Sequence, residues 1–167
     1  MSIVLRDATA FDADSVQALL FDHGPNPWNW LPPEGVARTI QQLVAGLAGA
    51  VLAEDGSVLV GAVLYRHADP YPSLRPDDIS PPQCSYIVEA VVHRDYAGQG
   101  IGARLLNSVC QKLAAQGQAW VVADRHEENG PSAGMMRKAG LQQLGVYDDP
   151  ARRPHGSGRT AVCGRRL

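Results

Sequence analysis

The chain offers little that would tie it to a membrane, a disulfide scaffold, a metal or a nucleic acid. No apolar run in its 167 residues approaches the ~18 needed to span a bilayer. Its first residues, Met-Ser-Ile-Val-Leu-Arg-Asp, lack the basic and apolar regions of a secretory signal. Only three cysteines occur, Cys84, Cys110 and Cys163. They are odd in number and far apart, which fits neither a disulfide framework nor a zinc site and suits a reducing cytoplasm. The five histidines, at 23, 67, 93, 126 and 155, show no metal-ligand spacing, so no metal is expected. Fifteen Lys and Arg stand against 17 Asp and Glu, for a net charge of −2, without the basic excess of a nucleic-acid binder. Neither an internal repeat nor a low-complexity tract is found.

What is present suits one domain, residues 1–167, large enough to bury roughly two-thirds of its surface. A short strand is expected at Ile3–Arg6, then a helix capped by Asp12 or Asp14 that buries Val16, Leu19 and Leu20. His23–Pro33 holds four prolines and both Trp28 and Trp30, and reads as a loop. A second helix carries Val36, Ile40, Leu43, Val44 and Leu47 at helical spacing. Ala50–Ala53 and Val58–Arg66 flank a turn and form a hairpin. Ala68–Gln83, rich in proline, is a surface loop. Beyond it the pattern becomes strand, helix, strand. Tyr86–Val92 is almost continuously apolar, as in a strand covered on both faces. A helix from Gly100 aligns Ile101, Leu105, Val109 and Leu113, and Gly117 ends it. Ala119–Ala123 is a second buried strand ending in Asp124, parallel to the first. A short helix over Ser132–Ala139 and strands at Leu141–Tyr147 and Thr160–Arg165 complete an α/β mixed twisted sheet of six or seven strands with helices on both faces.

The glycine-rich turn between Val92 and Ile101 carries the chemistry. Glycines let the backbone approach a ligand closely, and the free N–H groups opening the helix face an anion such as a diphosphate. Gly98-x-Gly100-x-x-Ala103 with Asp124 also fits a dinucleotide fingerprint. Five residues, His93–Ala97, intervene before the first glycine, and too little chain follows Asp124 for a doubly wound sheet. A dinucleotide-dependent oxidoreductase is therefore the remote alternative.

The segment resembles the GNAT superfamily of acetyl-CoA-dependent N-acetyltransferases. Their motif Arg/Gln-x-x-Gly-x-Gly/Ala, opening a helix, is matched by Ala97-Gly98-Gln99-Gly100-Ile101-Gly102. Ile87–Val92 looks like their pantetheine-binding strand. Asn129, Ser132, Met136, Gly140 and Leu141 stand at the spacing of their Asn-x-x-Ala-x-x-x-Tyr-x-x-x-Gly-Phe motif. The resemblance implies a GNAT-like fold with acetyl-CoA as cosubstrate. It further implies pantetheine pairing by the backbone of Ala90, Val91 and Val92, and pyrophosphate binding by Ala97, Gly98, Gln99, Gly100, Ile101, Gly102 and Ala103. Asn129, Ser132 and Met136 would lie near the thioester. The acceptor would be a small-molecule or peptide amine, and such proteins often pair as homodimers. Two positions depart from the pattern. Ala97 replaces Arg or Gln, which removes a side-chain contact to phosphate. Met136 replaces the tyrosine that often protonates the departing thiolate. A non-catalytic acyl-CoA-binding sensor or regulatory domain is therefore the second reading.

Acetyl transfer needs a neutral amine. At pH 7.4 a lysine-like amine with a pKa of ~10.4 is neutral in about one molecule in a thousand, a cost of ~4 kcal/mol. A thiol leaving group with a pKa of ~8.5 costs only about 1.5 kcal/mol, so the amine proton is the larger problem. Glu89, an acid within an apolar strand, and Asp124, at the end of the next, are the candidate catalytic carboxylates. Their structural alternatives are a cross-strand salt bridge for Glu89 and a loop anchor for Asp124. His93 and His126 are weaker candidates, and a water relay would also serve. Trp28 and Trp30 are candidate acceptor walls, or plugs between helices and sheet. The two acids favour a cationic amine. Arg152, Arg153, Arg159, Arg165 and Arg166 form a basic end, read as a solvated face or a site for an acidic acceptor or the CoA 3′-phosphate.

Overall fold

Residues 2–167 are described by the computed structural model, in which the apolar periodicities resolve into seven strands and four helices. In chain order these are β1 (Ile3–Asp7), α1 (Ala13–His23), α2 (Pro33–Val44), β2 (Gly49–Asp55), β3 (Val58–His67) and β4 (Cys84–Val92). They continue as α3 (Ile101–Ala115), β5 (Trp120–His126), α4 (Gly130–Lys138), β6 (Gln142–Asp148) and β7 (Arg159–Arg166). One mixed sheet runs in the order β1-β2-β3-β4-β5-β7-β6, and all pairings are antiparallel except β4 with β5. The expected α/β mixed sheet of six or seven strands is therefore present, with seven.

Each sheet face carries a separate core. On one, Leu105, Leu106, Val109 and Leu113 of α3 meet Val63, Ile87, Val121 and Ala123, with Met136 of α4 at the edge. On the other, Val16, Leu19 and Leu20 of α1 and Val36, Ile40 and Leu43 of α2 cover Leu52, Ala62, Leu64 and Val91. The buried α3 stripe is the one its sequence spacing implies.

Three local expectations change. The second helix ends at Val44, which is 54% exposed, and Leu47 lies beyond it at 71%. The chain turns there through Gly46 in the left-handed region (φ +77°), which breaks the 3.6-residue period before Leu47. Asp12 precedes α1 but makes no capping bond, and Asp14 lies inside the first turn. Arg6 holds the Asp12 carboxylate instead, at 2.8 and 2.9 Å, and lowers its pKa to about 2. Finally, β5 continues past Asp124 to His126, because β7 pairs with it along its whole length.

Candidate functional site

The site arises where the two parallel strands separate. Strands β4 and β5 pair only over Cys84–Tyr86 and Trp120–Val122, so the rest of β4 has no partner on that side. A bulge in β4 then decides which face its side chains reach. Tyr65 pairs with Ile87, but Leu64 pairs with Glu89, leaving Val88 as the extra residue. Strict alternation would put Glu89 on the face of Ile87, in the α3 core. The inserted residue instead places Glu89 with Leu64 and Val91 on the α1/α2 face, and returns Ala90 and Val92 to the α3 face.

Two cavities flank this strand. The first, of about 730 Å³, is a groove between β4 and the start of α3 and α4. Ala90, Val91, Val92, Ala97, Gly98, Gly100, Ile101, Gly102 and Ala103 line it, with Asn129 and Ser132 at its inner end. Gly98 (φ +79°) and Gly100 (φ +76°) hold left-handed backbone that lets the chain turn sharply into α3. No side chain caps α3, so its first N–H groups face the groove, a ready anion site.

The second cavity, about 320 Å³, lies between β4, β5 and α2. Glu89, Asp124, Trp30, Arg66 and Arg152 are among its walls. Both cavities reach Ala90, Asn129, Ser132 and Met135, so a chain lying in the groove has an opening toward the second chamber. Glu89 is half-buried and has no hydrogen-bond or ion-pair partner among the described residues. Burial, and secondarily the charge of Asp124, push its pKa up to about 8 against the opposing pull of Arg153 and Arg152.

A family description of acetyltransferases, the acetyltransferase (GNAT) family, matches residues 15–141. The chain belongs to this family. No curated protein matched the chain in a sequence search. Among solved structures, it is similar to a ribosomal-protein-alanine N-acetyltransferase from Brucella melitensis, with 18% identity, TM-score 0.76, and 98% and 99% of the two chains covered. It is likewise similar to NAA60 of Arabidopsis thaliana in complex with a bisubstrate analogue (15%, TM-score 0.77, 99% and 98%). A Bacillus subtilis acetyltransferase in complex with CoA matches at 16% identity and TM-score 0.70, covering 99% and 97%. At these identities the likeness establishes a shared GNAT fold.

Within this GNAT domain the candidate residues separate. Gln99 lines neither cavity, unlike its neighbours in the turn. Asn129 caps α4, its Oδ1 accepting from the Ser132 N–H at 3.2 Å. Met136, at 4% exposure, belongs to the α3-side core and reaches only the second cavity. Trp30 is a cavity wall, with the Arg152 guanidinium 5.9 Å from its ring centre. Trp28 lines neither cavity and packs on the His126 ring at 4.6 Å. His126 is itself held between the His155 carbonyl and the Glu128 N–H. His93 accepts from the Asp95 N–H and stacks on His23 at 3.8 Å, outside the second cavity.

Asp124 is the hub of a network that the sequence did not reveal. Its Oδ1 accepts from Arg152 (2.9 Å) and Arg153 (3.2 Å), and its Oδ2 from the hydroxyls of Tyr71 and Tyr86 (both 2.7 Å). Arg153 extends the network to Thr160, which donates to Asp149. Burial and the Asp124 charge raise the pKa of both tyrosines, which therefore remain donors. The five C-terminal arginines do not share one face. Arg152 and Arg153 enter the cavity, Arg165 binds Asn107 and the Ala139 carbonyl, Arg166 pairs with Asp78, and Arg159 lies beside Glu127 and Asp148. Among the described residues no group of three or more His, Cys, Asp or Glu could hold a metal, and no helix is long and apolar enough to cross a membrane.

Proposed function

We propose that this GNAT protein transfers the acetyl group of acetyl-CoA directly to a primary amine, with Glu89 as the proton acceptor. The observation that carries the reading is the position of Glu89. An unpartnered carboxyl group opens on the second cavity one residue from Ala90, where the two cavities meet. The groove suits acetyl-CoA: a left-handed glycine turn and a free helix terminus for the diphosphate, and the β5-side edge of β4 at Ala90–Val92, unpaired there, for the amides of the pantetheine arm. Asn129 and Ser132 stand at the inner end, where the thioester would lie.

The amine enters through the second cavity. Its nitrogen attacks the thioester carbonyl, the N–C bond forms, the C–S bond breaks, and CoA leaves as thiolate. Glu89 takes the amine proton directly or through one water. With a pKa of about 8 it is matched to a general base near neutral pH. Asp124, occupied by four donors, is a positioning residue that fixes Tyr71, Tyr86, Arg152 and Arg153 around the chamber. Trp30 supplies an aromatic wall. Departure as thiolate rather than thiol costs only about 1.5 kcal/mol near pH ~7.4, and the thiolate then takes its proton from solvent, so Met136 in place of a phenol is tolerated. Cys84 is no competing nucleophile, because burial raises its thiol pKa.

The test is thiol release from acetyl-CoA across a panel of primary amines, with intact-protein mass recorded during turnover. Amine-dependent release without an acetylated protein species is expected. An acetyl-enzyme that accumulates would overturn direct transfer. Binding of acetyl-CoA without release for any amine would favour the sensor reading.

A further inference from the structure

The second cavity is richer in positive charge than its two acids suggested. Five arginines line it, at positions 38, 66, 125, 152 and 153, facing only Glu89 and Asp124. Asp124 is shared between Arg152 and Arg153, with Asp149 assisting Arg152. The other three have no carboxylate partner among the described residues. Arg125 is buried at 8% exposure and donates only to the carbonyls of His126 and Glu127 and to Gln143. Arg66 is half-buried and lies 5.9 Å over the Tyr86 ring, in the same chamber as Glu89. Arg38 projects from α2 at the exposed rim. The chain as a whole carries a net charge of −2, so this excess is local.

A chamber of this kind repels a simple polycation and attracts an anion. Guanidinium groups bind carboxylates through paired N–H donors, and those at 38 and 66 are not committed to a protein carboxylate. The positive field also favours the neutral form of an amine. That is the form that attacks the thioester, so the arginines ease deprotonation of an amine bound beside them. The volume of about 320 Å³ is at the small end for ligand sites. From these observations we infer that the acceptor is a small primary amine that itself carries a carboxylate, an α-amino acid or close analogue, with Arg66 and Arg38 as its anion-binding residues. This rests on the acetyl-transfer reading above and replaces the cationic amine expected from the two acids alone.

The experiment compares matched acceptors in the thiol-release assay: the L-α-amino acids, the C-terminal amides of the same amino acids, spermidine, and 2-aminoethyl phosphate. The best amino acid is expected to exceed its own amide at least tenfold in kcat/KM. In Arg66→Gln and in Arg38→Gln that ratio falls toward one, through KM rather than kcat. Arg38 is exposed, so its variant tests the idea even where Arg66→Gln disturbs folding. A preference for the amides or for spermidine, or a ratio that survives both substitutions, overturns the proposal. A preference for 2-aminoethyl phosphate over every amino acid overturns the carboxylate assignment in favour of a phosphate. Where no member turns over, thermal protection by amino acid over amide, lost in the variants, is still required, and equal protection overturns the proposal. Protection by acetyl-CoA, measured in the same samples, reports separately on the acetyl-transfer reading.

Discussion

Replacing Glu89 by Gln should weaken the enzyme and strengthen the fold in the same molecule. The folded protein holds the Glu89 carboxyl at a pKa of about 8, against an ordinary 4.5. Folding therefore favours the protonated form. The site costs nothing below pH 4.5, and the cost grows as pH rises from 4.5 through 8, because the unfolded chain ionises first. At 1.36 kcal/mol per tenfold change in proton affinity, wild type should lose about 4 kcal/mol relative to Glu89→Gln between pH 5 and pH 9. For a chain of this size that is a Tm difference of roughly 8–16 °C opening with pH. Gln keeps the shape and removes the charge, so paired thermal unfolding from pH 5 to 9 isolates the ionisation. The same variant should lose ~10²–10⁴-fold in kcat with the best acceptor, the usual worth of a positioned general base. Wild-type activity should climb toward an apparent pKa near 8, and the variant should lose that limb. Tm curves that stay parallel across the pH range would refute the burial argument. A variant with full activity would refute the catalytic role.

Other substitutions separate the remaining parts. Asp124→Asn leaves the Arg152 and Arg153 guanidinium groups without their shared charge. Because Asp124 and Arg153 are both largely buried, about 3–5 kcal/mol of stability should be lost in denaturant titrations. Gly100→Ala meets no steric obstacle but forces a Cβ into left-handed backbone. It should cost ~1–2 kcal/mol in stability and raise the KM for acetyl-CoA with little change for the amine. Met136→Tyr places a larger polar side chain in a filled core, so ~1–3 kcal/mol of destabilisation is expected. The chemical step should change by less than tenfold in single-turnover kinetics, and a gain of several orders of magnitude would show that thiolate protonation limits the wild type.

The sequence disclosed those parts of the fold that rest on short-range patterns. The α3 stripe, the left-handed glycines before it and the parallel strands around it follow from 3.6-residue spacing, turn chemistry and apolar runs. So does the groove they form. The second cavity was less legible because its geometry is non-local. Nothing in Ile87-Val88-Glu89-Ala90 marks Val88 as a bulge, since the run is nearly all apolar and shows no alternation to interrupt. Yet that one inserted residue decides whether Glu89 faces the α3 core or the cavity. Asp124 was visible, but its partners stand 53 residues upstream at Tyr71 and 28 downstream at Arg152. Tyr71 stands in a proline-rich segment whose sequence marks only a surface loop. Arg152 and Arg153 are close in sequence to the other C-terminal arginines, but β7 carries Arg159, Arg165 and Arg166 elsewhere. Trp28 and Trp30 are two residues apart in one loop, and only their three-dimensional neighbours distinguish the packed ring from the cavity wall.

The most direct test of the central claim is a thermal-shift titration with acetyl-CoA, CoA and NADH side by side. A ligand at 100 times its Kd adds about 2.7 kcal/mol of stability. Stabilisation by acetyl-CoA and CoA, absent with NADH and reduced in Gly100→Ala, is the predicted result. Stabilisation by NADH alone, or by none of the three, would contradict the assignment of the glycine turn and its groove to acetyl-CoA.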